Sequence, residues 1–182
     1  MIIRGMNLPL IIACAAIVLA LIIFPLIVSY KAEKKNEINK DNIPDIPKAL
    51  ANYVPYKIVD KTMYISGQAP LKNGEFIYRG KVGSDVTIED GIDAAKLCCI
   101  NIIANVKKGL EGDWGKLESF VKLNGFVNCQ DNFMDQPKII NGASDLLVEI
   151  FGDQGRHTRV AVGTNALPFG IAVEIDAIIQ LK

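Results

Sequence analysis

The chain has 182 residues, of which 50% are hydrophobic and 22% are charged, and twenty basic residues balance twenty acidic ones. No basic run is longer than two residues, which argues against a dedicated nucleic-acid binder, for which a basic stripe is expected. Four cysteines without a CxxC pair, together with a single histidine, argue against a zinc site. We expect no metal and no cofactor.

The N-terminal segment is the most apolar part of the chain. No residue from Leu8 to Tyr30 is charged, a run of 23 residues. At about 1.5 Å rise per residue, a helix of that length crosses a hydrocarbon core of roughly 30 Å. A cleaved signal sequence usually has a shorter apolar region and a small-x-small site, which is not seen here. We therefore predict a retained single-pass anchor in residues 1–30, which cell fractionation and sequencing of the mature N-terminus would test.

Residues 31–48 are charged, rich in Asn and interrupted by two prolines, a composition typical of an extended tether. Lysines are more frequent on this side of the apolar run than basic groups are on the other side. The positive-inside rule therefore favours a membrane protein whose folded domain is cytoplasmic. The predicted organisation is an anchor over residues 1–30, a linker over 31–48 and a folded domain over 49–182.

The folded domain opens with two predicted strands, Tyr56–Lys61 and Thr62–Gly67, and a turn at Gly74 follows them. Thr87 has the features of a helix N-cap, and Gly109 or Gly112 can end the helix that follows. Apolar residues recur along one face of this helix at the 3.6-residue period. They are Ile92, Ala95, Cys99, Ile102, Ile103, Val106 and Leu110.

The second half of the domain is predicted to contain strand, helix and two strands. The segment Leu117–Val127 alternates in polarity, Gln136–Phe151 has a proline in its first turn, and Thr158–Thr164 and Ala172–Leu181 alternate again. Strands segregated from two helices indicate an α+β fold with both helices on one sheet face. The other face, carrying Val173, Ile175 and Ala177 or their neighbours, is then too apolar for water, which predicts self-association.

The last two predicted strands flank a turn rich in Gly, Asn and Pro, which indicates an antiparallel hairpin. If the turn centres between Ala166 and Leu167, then Arg159 and Glu174 lie directly opposite each other. A guanidinium beside a carboxylate can hold an anionic substrate and orient a water molecule. The alternative, which spacing alone favours, is a structural cross-strand ion pair worth a few tenths of a kcal/mol.

From Tyr53 onward, an ordered set of motifs resembles the RidA/YjgF family of small trimeric enamine/imine deaminases, also labelled the endoribonuclease L-PSP family. Only the N-terminal segment lies outside this resemblance. The motifs are Tyr53, Tyr64–Pro70 (YISGQAP), Gly80–Gly83 (GKVG), Thr87–Gly91 (TIEDG), Ile140–Ser144 (INGAS), Arg159, Leu167-Pro168 and Val173–Ile175 (VEI).

The resemblance implies a chorismate-mutase-like subunit, here preceded by one transmembrane helix, in which a mixed sheet is covered on one face by two helices. It further implies a homotrimer with three clefts between subunits. The implied reaction is hydrolysis of reactive enamines and imines such as 2-aminoacrylate, which yields a 2-keto acid and ammonia.

The resemblance also implies roles for individual residues. Arg159 matches the arginine that binds the substrate carboxylate, and Glu174 matches the glutamate that orients water. Tyr53 and Ser66 match residues that face the substrate, and Asn141 lies where the family often has a pocket asparagine. For Tyr53, Ser66 and Asn141, packing, turn formation or helix capping is an equally good explanation.

Two further residues and two alternative functions complete the expectations. Ala161 replaces a cysteine that is frequent in the family, and His157 is expected to point away from Arg159 and to be structural.

A non-catalytic module that binds a small keto or amino acid is the main alternative function, because a binder needs only the cation. A ribonuclease or a translation inhibitor is a weaker one, because the sequence shows no basic surface interleaved with aromatic residues.

Overall fold

The computed structural model describes residues 21–23, 38–40, 42–44 and 51–182. Seven strands and two long helices make up the part from residue 51 onward, together with three short 3-10 segments. The strands are β1 (Tyr56–Val59), β2 (Thr62–Gln68), β3 (Leu71–Lys72), β4 (Glu75–Phe76), β5 (Leu117–Asn128), β6 (Thr158–Thr164) and β7 (Val173–Leu181), and the helices are α1 (Ile88–Gly109) and α2 (Gln136–Phe151).

Five of the strands form one mixed sheet in the order β1-β2-β7-β5-β6, and β3 pairs only with β4. Strand β6 runs parallel to β5, whereas β1 with β2, β2 with β7 and β5 with β7 are antiparallel pairs. Helix α1 packs over β2 and β7, and helix α2 packs over β5 and β6. The predicted α+β architecture, with two helices on one face of a mixed sheet, is therefore confirmed.

The predicted hairpin between the last two strands is wrong, because β5 lies between them. Arg159 pairs with Leu123 of β5, and Glu174 pairs with Phe126 of the same strand. The segment that connects β6 to β7 is not a tight turn but crosses the end of β5. It is held there by the amide of Asn128, which donates to the carbonyl of Ala172 at 2.9 Å.

Both helices begin and pack as their sequences predict. The Thr87 hydroxyl accepts a hydrogen bond from the amide of Asp90 at 3.0 Å and caps α1. The two helices approach each other closely at Gly142 of α2, where a Cβ would overlap the backbone carbonyl of Ile92. Most of the predicted apolar stripe of α1 is buried; only Ile92 is partly exposed.

The helix-covered face of the sheet forms the core. On β7, the residues Val173, Ile175 and Ala177 are at most 1% exposed, so these three are not on the uncovered face. Their neighbours are on it instead. We call this uncovered side the open face, and its apolar residues, matched through the strand register, are Tyr64, Phe126, Val160, Val162 and Ile178.

The predicted anchor lies outside the described residues, except for residues 21–23, which are helical. Within the described ranges, no helix combines the length and the apolar character needed to cross a membrane. Most of the predicted linker, residues 31–48, is likewise outside them. By its internal contacts the chain divides into a unit of residues 1–39 and a unit of residues 40–182, and the anchor stays a prediction.

Candidate functional site

Arg159 lies on β6, the free edge of the sheet, and its side chain points to the helix-covered side. Nη1 donates to the hydroxyl of Ser144 at 3.0 Å, and Nη2 donates to the carbonyl of Pro137 at 3.3 Å. Within the described part of the chain, no carboxylate forms an ion pair with it. Because a guanidinium has five N–H donors and two are used by neutral acceptors, Arg159 can still bind an anion.

Three of the residues around Arg159 come from one side of helix α2. Asn141 is exposed and lies four residues after Pro137 and three before Ser144, spacings that put side chains on the same side of a helix. Asn141 therefore flanks the arginine, although no hydrogen bond links the two side chains.

His157 is also part of this cluster, contrary to expectation. Its Nε2 is 3.0 Å from the hydroxyl of Ser144, the group that binds Arg159. Residues two apart in a strand share a face, so the spacing of His157 and Arg159 was the signal that could have predicted this. We call Pro137, Asn141, Ser144, His157 and Arg159 the arginine cluster.

Glu174 lies on the open face, beside the second strand. Gly67 leaves the space it occupies, since a Cβ there would overlap Oε1 of Glu174. Burial of the carboxylate, reinforced by the negative charge of Asp176, raises the pKa of Glu174 above its usual value. Among residues 51–182, no hydrogen bond donor or cation is paired with this carboxylate, which leaves it free to accept a proton or to orient water.

Ser66 precedes Gly67 in the chain and binds the segment that directly follows Tyr53. The Ser66 hydroxyl donates to the carbonyl of Val54 at 2.7 Å, and its amide donates to the carbonyl of Pro55 at 3.0 Å. These bonds fasten the segment that carries Tyr53, whose side chain is 50% exposed. We call Tyr53, Ser66, Gly67 and Glu174 the glutamate cluster.

A buried amide network, which the sequence did not reveal, supports the glutamate cluster from behind. Gln68 donates to the carbonyl of Ser66 at 2.8 Å and accepts from Asn105 at 3.1 Å. Asn101 donates to the carbonyls of Ala69 and Leu71 at 2.9 and 3.0 Å. The network holds the irregular stretch of β2, where the pairing with β7 shifts register between Ile65 and Gln68.

The two clusters do not meet within one chain. Two strand spacings of about 4.8 Å and a three-residue offset of about 3.3 Å per residue separate the backbones of Arg159 and Glu174 by roughly 14 Å. Their partners on β5, Leu123 and Phe126, are an odd number of residues apart, so the two side chains point to opposite faces of the sheet.

A polar cavity of about 320 Å³ lies between the end of β5 and the start of α2. Its lining includes Gly163, which shares a face of β6 with Arg159 and Ala161, as well as Cys129 and Gln136. The buried thiol of Cys129 is 2.9 Å from where a Cβ on Gly163 would be. Cys129, the residue after β5, thus places a thiol beside the face of β6 that carries Ala161 and Gly163. In the described residues, no group of three His, Cys, Asp or Glu side chains could hold a metal ion.

Comparisons with known proteins agree with this fold. A family model described as "YjgF/chorismate mutase-like, putative endoribonuclease" matches residues 37–176. Protein TCP17 of Trypanosoma cruzi is 38% identical over 141 residues, which are 77% of this chain and 88% of that protein. The crystal structure of Atu1372 from Agrobacterium tumefaciens, of unknown function, is 45% identical with a TM-score of 0.72, over 75% of this chain and 86% of that one. RidA from an Antarctic Psychrobacter is 25% identical with a TM-score of 0.52, over 75% and 94% of the two chains.

Proposed function

Since this chain belongs to the YjgF/chorismate mutase-like family, whose structural neighbours include RidA, we propose that it is a hydrolytic deaminase of enamine and imine acids. The substrate class is a short 2-imino acid such as the tautomer of 2-aminoacrylate. The products are a 2-keto acid and ammonia.

The observation that carries this proposal is the unpaired guanidinium of Arg159. Ser144 and Pro137 fix its orientation through neutral acceptors and leave its charge uncompensated by any described residue. A planar fork of donors binds a carboxylate through two parallel hydrogen bonds, which also orients the substrate. A cation held in this way is suited to a small anionic ligand.

Glu174 provides the second requirement, a group that activates water. In the proposed reaction, the oxygen of water adds to the imine carbon while Glu174 accepts a proton from it. The protonated carboxyl then returns this proton to the nitrogen, which gives the neutral carbinolamine. In the second step Glu174 moves the hydroxyl proton to the amino nitrogen, the C–N bond breaks, and ammonia leaves as the carbonyl forms. The pKa of Glu174, raised by burial and by Asp176, brings the group closer to the pH at which it must both accept and donate.

The two clusters can serve one substrate only if they come from different subunits. Strand β6 is at the free edge of the sheet, and the open face next to it exposes Tyr64, Val160 and Val162 at 40–47%. A second copy that packs on this apolar surface would bury it and could bring its own glutamate cluster to the arginine. We therefore propose a homotrimer with composite sites between subunits, as the family resemblance implies.

The first test compares two arginines of the same segment. Arg159→Ala should lower kcat/KM for freshly generated 2-aminoacrylate about 10- to 100-fold, because a hydrogen bond to a charged group is lost. Arg156→Ala is the matched control, since Arg156 is exposed and its ion pair among the described residues is with Asp153 at 3.1 Å. Release of ammonia and of 2-keto acid is measured in a coupled assay. Equal activity in both variants would show that Arg159 is not the carboxylate site.

The main alternative is a non-catalytic module that binds a small keto or amino acid. Such a module needs Arg159 but not a desolvated carboxylate, so Glu174 favours the enzyme. Pyruvate binding without any turnover of imine would favour the module instead. A ribonuclease is the weaker alternative, because the net charge of zero provides no general attraction for phosphates.

A further inference from the structure

A continuous line of hydrogen bonds leads from the arginine into the protein. Nδ1 of His157 is 2.7 Å from the carbonyl oxygen of Gly155. Because a carbonyl only accepts, Nδ1 carries the proton of the neutral ring, and Nε2 is left as an acceptor. The Ser144 hydroxyl, 3.0 Å away, donates to Nε2 and accepts from Nη1 of Arg159, also at 3.0 Å.

Both ends of this line are fixed. Gly155 is buried against α2, and a Cβ there would overlap the backbone carbonyl of Leu147, so the backbone that holds His157 packs directly on the helix. At the other end, Arg159 is also held by the carbonyl of Pro137 at 3.3 Å. A change at His157 is therefore transmitted through Ser144 to the guanidinium.

We propose that Ser144 and His157 are positioning residues of the carboxylate site, and that occupation of Arg159 by a carboxylate is coupled to uptake of a proton by His157. The inference rests on the proposed function in one respect, namely that a substrate carboxylate binds at Arg159.

The direction of the coupling follows from charge. Burial, and after it the positive charge of Arg159, lower the pKa of His157 below its usual value, while the bond to Gly155 opposes them. A carboxylate bound at Arg159 offsets the guanidinium charge and so raises the pKa of His157. Because linkage is reciprocal, carboxylates bind more tightly as the pH falls through the pKa of His157.

Other charged groups near His157 do not provide this coupling. On the 3-10 segment after α2, Asp153 and Arg156 pair with each other and are exposed. On α2, Asp145 is exposed beside Ser144. On β5, Lys122 lies opposite Thr158 in the strand register, and its side chain points to the open face. Arg159 is thus the charged side chain whose field acts on the imidazole.

The test uses the fact that this is the sole histidine of the chain, so one imidazole signal reports on it. The pKa of His157 is measured by NMR titration of the full-length protein in detergent, with and without saturating pyruvate, in the wild type and in Arg159→Ala. We expect pyruvate to raise the pKa in the wild type only. In the ligand-free state, Arg159→Ala should itself raise the pKa, because the repelling cation is gone.

A wild-type imidazole pKa that bound pyruvate leaves unchanged overturns the coupling. If pyruvate does not bind, the same imidazole pKa in the ligand-free wild type and in Arg159→Ala overturns it instead. If the pKa shifts as expected but no imine is hydrolysed, the proposed deaminase fails while the coupling stands.

The positioning role is tested by calorimetric titration with pyruvate. Ser144→Ala should raise the Kd of pyruvate about 3- to 10-fold, because Arg159 loses one neutral acceptor. Ser144→Thr keeps the hydroxyl and should restore most of the affinity, whereas a purely structural serine would not be rescued in this way. Wild-type affinity in Ser144→Ala would refute the role.

Discussion

At the scale of single residues, Arg159 and Glu174 have different environments. Arg159 is stabilised by two neutral acceptors and stays partly exposed, whereas Glu174 is desolvated next to Asp176 without a paired donor among the described residues. A carboxylate whose pKa is raised on folding makes the folded state less stable as the pH rises through that pKa. A carboxylate that is destabilised in this way is typical of functional groups.

This difference predicts a pH dependence. If Glu174 must be ionised to accept a proton, kcat/KM falls as the pH falls through its pKa, which lies above that of an ordinary glutamate. Asp176→Asn removes the neighbouring negative charge, so the pKa of Glu174 decreases and the acid limb moves to lower pH. Pre-steady-state or coupled assays from pH 4 to pH 8 measure the limb. An acid limb at the same pH in both proteins would show that another group controls it.

The residues of the two clusters show what sequence patterns could and could not predict. Arg159, Glu174 and Asn141 were selected through the family resemblance, and the structure places each on a definite face of the sheet or helix. Ser144 was part of a family motif without a role of its own, and His157 was expected to be structural, although its two-residue spacing from Arg159 favours a shared face. Only the contact across the layer shows what they bind.

At the scale of elements, local periodicity predicted where the helices and strands lie in the sequence, but not which strands are neighbours in the sheet. Helix Gln136–Phe151 and strand Thr158–Thr164 have the predicted bounds, because hydrophobic period and end signals are local. The order of strands is set instead by long-range pairing. Strand β5, with twelve residues, pairs on both of its edges, and this separates β6 from β7 in a way that no turn signal reveals.

The irregular stretch of β2 predicts how one methyl group added at Gly67 changes activity. Gly67→Ala places a Cβ where Oε1 of Glu174 now lies, and the carboxylate is a side-chain end that can rotate away. We expect kcat to fall about tenfold or more, since a misplaced base loses most of its effect. The Tm should change little, because no backbone atom is overlapped.

A suitable control is Gly74→Ala in the turn between β3 and β4. That glycine has open space around it but a φ of 85°, so alanine there strains the backbone away from the site. Gly74→Ala should lower the Tm and have little effect on kcat. A larger loss of kcat in Gly74→Ala than in Gly67→Ala would contradict the position assigned to Glu174.

At the scale of the whole molecule, one subunit alone does not bring the arginine cluster and the glutamate cluster together. One chain presents Arg159 at its sheet edge and Glu174 on its open face, and the two side chains point away from each other. Apolar side chains on the open face provide a reason for copies to associate.

This arrangement predicts complementation between two impaired variants. Arg159→Ala and Glu174→Gln should each have strongly reduced activity alone. When they are co-expressed in equal amounts and assemble at random, about a quarter of the sites receive an intact arginine and an intact glutamate from different subunits. The specific activity of the mixture is compared with that of the wild type. No recovery in mixed trimers, verified by two affinity tags, would refute sites shared between subunits.

The central position of β7 has a consequence for how the protein is made. Residues 173–181 are synthesised after the other four strands of this sheet, yet their strand lies between β2 and β5 and joins the two halves of the sheet. Until the ribosome releases these residues, both neighbouring strands have an unpaired edge and the helices lack much of the surface beneath them. The sheet therefore cannot be completed before β7 has left the ribosome, and until then the nascent chain exposes strand edges that favour aggregation.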